Sequence, residues 1–123
     1  MNTIDELKRE TANPVVVADQ QGLVVYVNQR FEAAFGWQPK DILGKPLTVI
    51  IPKHLHDAHQ LGFSRFLTSG KPTLLEQPLL LKAVTKDGQE FQAEHFIIAQ
   101  RQGSQWSFGA IIRPVGEPGP TKL

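Results

Sequence analysis

The stretch Asn13-Pro14-Val15-Val16-Val17-Ala18-Asp19-Gln20-Gln21-Gly22-Leu23-Val24-Val25-Tyr26-Val27-Asn28 decides the fold. The residue before a proline avoids the α region, so Asn13-Pro14 ends any helix before it. Val15 to Ala18 is a short β-branched run, Asp19 to Gly22 a turn signal, and Leu23 to Val27 a second strand; together they read as a hairpin. Asn28 follows the second strand directly. Its side chain can accept from the first free N–H groups of a helix. That helix carries Phe31, Ala34 and Phe35, and Gly36 stops it.

Upstream, Thr3 to about Glu10 reads as a short amphipathic helix with Thr3 as cap and Ile4 and Leu7 on one face. Downstream, Pro39 to Leu43 is a second short helix closed by Gly44. Leu47 to Ile51 is a compact apolar turn ended by Pro52. A longer helix runs from about Lys53 to Thr68 and ends at Gly70. Leu74 to Val84 is a strand, and Lys86-Asp87-Gly88 turns it into another. From Glu90 to Ala99 the residues alternate: Phe91, Ala93, His95, Ile97 and Ala99 on one face, Gln92, Glu94, Phe96 and Ile98 on the other. Gln102-Gly103 turns into a last strand, Trp106 to Arg113. The tail from Pro114 holds three prolines and two glycines. The expected organisation is a flanking helix over 1–12, one domain over 13–114 and a disordered tail over 115–123. Two strands, several helices and three strands in this order imply an α+β domain: a five-stranded antiparallel sheet with helices on one face.

Composition narrows the function. The chain has 123 residues, a formal net charge of +1 and 41% hydrophobic residues. One compact domain is expected. No basic footprint for nucleic acid and no apolar stretch near the roughly 20 residues of a membrane span is present. The N-terminus lacks a secretion-signal pattern, so a cytoplasmic location is expected. There is no cysteine. Disulfides, thiolate metal sites, cysteine nucleophiles and light-driven flavin adducts are therefore excluded. Ser64 and Ser69 lack base and acid partners, and no phosphate-cradling glycine loop occurs, so the chain is not expected to be an enzyme by itself.

His59 is the chemically conspicuous residue. It lies in an apolar helical stripe, Leu55, Ala58, His59, Gly62, Phe63, Phe66 and Leu67, where an imidazole must satisfy its nitrogens or coordinate something. His54, His56 and Asp57 lie nearby, but His56 falls off the stripe, so these read as solvated rather than as a metal cluster.

The punctuation residues, in order, resemble a PAS domain. The resemblance rests on residues 13–19, 22–28, Phe31, Phe35-Gly36-Trp37, residues 42–46, Ile51-Pro52 and residues 86–91, and spans roughly residues 5 to 114. It implies a sensor and dimerisation module that feeds a kinase, a cyclase, a phosphodiesterase or another effector. His59-Gln60-Leu61-Gly62-Phe63-Ser64-Arg65-Phe66 further resembles the helix of haem-binding PAS domains from oxygen-sensing histidine kinases. There, a histidine at the position of His59 ligates the iron of haem b, and an arginine follows at the position of Arg65. Two positions depart from that subset. Leu79 stands where its oxygen-bonding arginine lies, and His95 where it has a distal leucine.

Two functional readings follow. In the first, haem b serves gas or redox sensing, with His59 as axial ligand and His95 as a candidate sixth ligand. Gly62, Phe63, Arg65, Leu79 and Ile97 then complete the cofactor site. In the second, a haem-free module binds a small apolar or carboxylate metabolite, or acts only in dimerisation and signal relay. For His95 a β-bulge would shift the parity and turn it to water. The N-terminal helix is expected to help form a homodimer through Ile4, Leu7, Phe96, Ile98 and Ile112; packing of the helix on its own sheet is the alternative.

Overall fold

The computed structural model describes residues 3–61 and 79–115. Expectations for Gly62, Phe63, Arg65, the rest of the His59 helix, the strand start at 74–78 and the tail at 116–123 lie outside the described residues.

The elements are α1 (Ile4–Lys8), β1 (Val15–Ala18), β2 (Val24–Val27), α2 (Gln29–Phe35), α3 (Pro39–Ile42), 3-10 turns at Leu47–Ile50 and Lys53–Leu55, β3 (Leu79–Val84), β4 (Glu90–Gln102) and β5 (Gln105–Pro114). Residues 56–61 are helical. The strands form one antiparallel sheet in the order β2-β1-β5-β4-β3. The domain is α+β, as the element order implies.

Asn28 organises the first half. Its Oδ1 accepts from Phe31 N at 2.9 Å, capping α2, and from Val15 N at 2.9 Å. Its Nδ2 donates to the Glu10 and Asn13 carbonyls at 3.0 and 2.9 Å. One side chain thus ties the N-terminal segment, β1 and α2 together. Gly36 then closes α2 at φ 77°, a conformation that favours glycine.

Two cores flank the sheet. On the inner face, Phe31 and Phe35 stack at 4.3 Å and are buried with Val16, Val24, Val27, Ile42, Ile50, Ala83, Ala93 and Ile112. Full burial of one such large side chain contributes about 1.5–3 kcal/mol. On the outer face, Ile4 and Leu7 of α1 are buried with Val15, Val17 and Ile98. β1 is therefore buried along its whole length, between α2 and α1. A register shift in the β1–β2 ladder pairs Val17 with Tyr26 and Ala18 with Val24. Val25 is left unpaired and exposed, and Val24 and Val27 both point inward.

α1 carries a capping box: Thr3 Oγ1 accepts from Glu6 N, and Thr3 N donates to Glu6 Oε1. The Gln100 side chain accepts from Ile4 N at 2.8 Å, and Tyr26 donates to the Lys8 carbonyl at 3.3 Å. The helix is docked on its own sheet, so Ile4, Leu7 and Ile98 are already covered within the chain.

One expected interface residue is corrected. Ile112 does not share the outer face with Phe96 and Ile98. Gln102 pairs with Gln105, which sets Ile112 opposite His95 and Ile111 opposite Phe96. Directly paired residues share a face, so Ile112 lies in the inner core and Ile111 takes the outer position.

Candidate functional site on the inner face of strands β3 to β5

β4 runs unbroken from Glu90 to Gln102, paired residue for residue with β5 from Ala93 onward and with β3 up to His95. No bulge interrupts this ladder, so His95 and Ile97 keep the inward parity of Phe91 and Ala93. His95 stands directly between Leu79 of β3 and Ile112 of β5. The two positions that depart from the oxygen-sensing pattern are thus cross-strand partners. Ile97 pairs with Ala110, a small residue on the same face. Leu79, His95 and Ile97 are half-buried.

The His95 ring turns back on its own strand. Nδ1 lies 3.1 Å from the Ala93 carbonyl oxygen. A carbonyl can only accept, so Nδ1 carries the proton. Burial holds the pKa below the ordinary histidine value, against the opposing pull of the Ala93 and Leu79 carbonyls. The ring is therefore neutral near pH 7, with one N–H and a lone pair on Nε2.

His59 is also half-buried, on the helical stretch 56–61. Burial, and then the charge of neighbouring His56, hold its pKa below the ordinary value. A neutral imidazole is the form that ligates a metal. The stripe itself is corrected at two positions. Ala58 is exposed, whereas His56 is half-buried and donates from Nε2 to the Ile51 carbonyl at 2.7 Å. His56 lies three residues before His59, the spacing that places two helical side chains on one face, and this is the signal that could have found it. Among the described residues no three histidine, aspartate or glutamate side chains converge to hold a metal ion.

Trp37 is a second group that the sequence reading passed over. Its indole Nε1 is buried and has no hydrogen-bond partner among the described residues. Lys86 lies 5.3 Å over its ring. Among the described residues no polar or charged residue is fully buried, and no helix is long and apolar enough to cross a membrane.

A five-stranded antiparallel sheet with short helices over one face and a docked N-terminal helix on the other defines a single α+β module. The PAS domain family model matches residues 12–115, and the chain belongs to that family of sensory and signalling modules. It is 35% identical over 104 residues to an uncharacterized protein of Azorhizobium caulinodans, covering 84% of this chain and 14% of that one. It is 21% identical over 103 residues to the sensor protein FixL of Bradyrhizobium diazoefficiens, covering 84% of this chain and 20% of FixL. The chain thus spans only a small part of the length of these relatives. Among solved structures, the PAS domain of a Desulfitobacterium hafniense protein matches with a TM-score of 0.71 and 14% identity, covering 89% of this chain and 99% of that one. The PAS domain of an HTR-like protein from Haloarcula marismortui matches with a TM-score of 0.67 and 20% identity, covering 91% and 88%. At these identities the structures show the fold.

Proposed function

We propose that this PAS domain senses a small molecule held against the inner face of β3 to β5, with haem b as the leading candidate. The observation that carries the reading is the neutral, half-buried His59. The likeness to FixL supports it. The donor chemistry fits the group. His59 would supply the axial nitrogen. His95, with its tautomer fixed by the Ala93 carbonyl, offers Nε2 as the sixth. Gly62, Phe63 and Arg65 would complete the site. Haem would supply an iron whose ligand or redox state changes with its surroundings. The chain's own residues hold the imidazoles neutral and keep the surrounding face apolar.

The domain relays that state to an effector, such as a kinase, cyclase or phosphodiesterase, in a cytoplasmic protein, and carries no catalysis itself. Self-association would use the exposed part of the outer sheet face, around Phe96 and Ile111. A second reading, a haem-free module for a small metabolite, is favoured by Leu79 and Ile97, which line the face with hydrocarbon. Haem added to purified protein separates the two. A sharp Soret band that disappears in His59→Ala supports ligation, and colourless protein after reconstitution refutes it.

A further inference from the structure

We propose that His95 is the residue that selects the ligand: it accepts a hydrogen bond through Nε2, so the site favours compact apolar molecules carrying a hydroxyl or N–H donor. The inference rests on the reading that the inner face of β3 to β5 holds a small molecule. Three observations carry it. The unbroken β4 ladder aims His95 inward. The Ala93 carbonyl takes the ring's single proton at Nδ1. The Leu79 carbonyl also faces the ring, but a carbonyl can only accept, and the side chains of Leu79 and Ile112 are aliphatic, so neither cross-strand partner donates to Nε2 through carbonyl or side chain.

The covalent geometry of imidazole does the rest. Nδ1 is the ring nitrogen nearer the backbone, and here it is anchored to the strand. Nε2 is the far nitrogen and presents a lone pair. A ligand with a donor satisfies it, whereas a ligand without one strips its water and leaves a polar atom unpaired, which costs more than the mean gain of a hydrogen bond. A group that only accepts, dioxygen among them, gains nothing from this ring. A carboxylate meets no buried counter-charge among the described residues.

Phenol and toluene are near-isosteric probes that differ in one donor. Titrated by calorimetry into the full chain prepared without haem, phenol should bind at least about fivefold more tightly than toluene. In His95→Leu the ratio should fall to about one, with toluene binding at least as well as to the native chain. In native protein labelled with 15N-histidine, the Nε2 resonance of His95 should report an unprotonated nitrogen. It should shift on addition of phenol and stay in place with toluene, a readout that needs no variant to fold. Equal affinity for the two probes, a phenol preference that survives His95→Leu, or a protonated Nε2 in the free chain overturns the role of His95 and leaves the ligand-holding reading standing. Failure of both probes to bind overturns that reading, and the selectivity with it.

Discussion

Gly109 lies in β5 between Val17 of β1 and Ile98 of β4, directly under α1. Its backbone is ordinary strand, so the argument concerns space alone. A Cβ added there would run into Leu7 Cδ2 and come within 3.1 Å of Ile4 Cδ1 and 3.6 Å of Val17 Cγ2. Both helix side chains are buried, Leu7 at 0% and Ile4 at 8% exposure, so neither can swing into water without losing its burial. Gly109→Ala should therefore cost about 1–3 kcal/mol through overpacking. Up to about 1 kcal/mol is recovered from the alanine's better fit to a strand and the stiffer unfolded chain. Leu7→Ala alone should cost about 2–5 kcal/mol, the usual range for emptying a fully buried leucine site. The double variant is the decisive measurement. Alanine at position 7 removes the atom that the new methyl group strikes, and the methyl partly fills the space. The two losses should be less than additive by about 1–2 kcal/mol. Urea denaturation of the four proteins, compared at constant m-value, gives the cycle directly. Additivity within about 0.5 kcal/mol would refute the claim that Gly109 exists to seat α1.

Three further outcomes follow from the same contacts. Asn28→Ala removes the α2 cap and the acceptor for Val15 N–H, and should destabilise by about 2–4 kcal/mol in denaturant titration; a loss under about 0.5 kcal/mol would contradict its role as the tie between β1, α2 and the N-terminal segment. Because His59 and His95 have pKa values below their unfolded value of 6.5, the unfolded chain binds more protons just below that pH. The stability these groups contribute is then complete above pH 6.5 and lost as pH falls, by at most about 1.4 kcal/mol per pH unit for each proton. Melting temperature should drop between pH 7.5 and 5.5, and the double variant His59→Gln, His95→Gln should flatten the slope; an unchanged slope would place the acid sensitivity elsewhere. Arg113 pairs with Glu94 at the surface, with 59% and 37% of their side chains exposed. Arg113→Ala should therefore change stability by less than about 1 kcal/mol, and a larger loss by denaturation would show the pair to be structural.

The legible parts of this fold are those where one residue settles a local choice. Asn28 had to cap a helix because it follows a strand and precedes Phe31 and Phe35, and Gly36 had to end that helix in a left-handed turn. The alternation from Phe91 to Ala99 put His95 on the face of Phe91 and Ala93, but whether a bulge turned it to water was decided only by the unbroken β4 ladder. Ile112 was not legible from β5 alone. Its face depends on the residue opposite it in β4, and that partner is set at the Gln102–Gln105 turn. The His59 stripe failed differently. Lys53–Leu55 forms a 3-10 turn before the helix proper. Each residue there advances by a third of a turn rather than by the smaller α step, so a wheel drawn as continuous α-helix from Lys53 loses phase. Within the helical stretch 56–61 itself, His56 stands three residues before His59 and shares its face, with its ring on the Ile51 carbonyl, whereas Ala58 is turned to water. The consequence is chemical as well as geometric. His56 sits close enough to His59 to oppose its protonation, so the conspicuous histidine of the sequence is kept neutral partly by one that looked incidental. Replacing His56 with glutamine should raise the His59 pKa toward its ordinary value, as read by NMR titration. An unmoved His59 titration would assign its neutrality to burial alone.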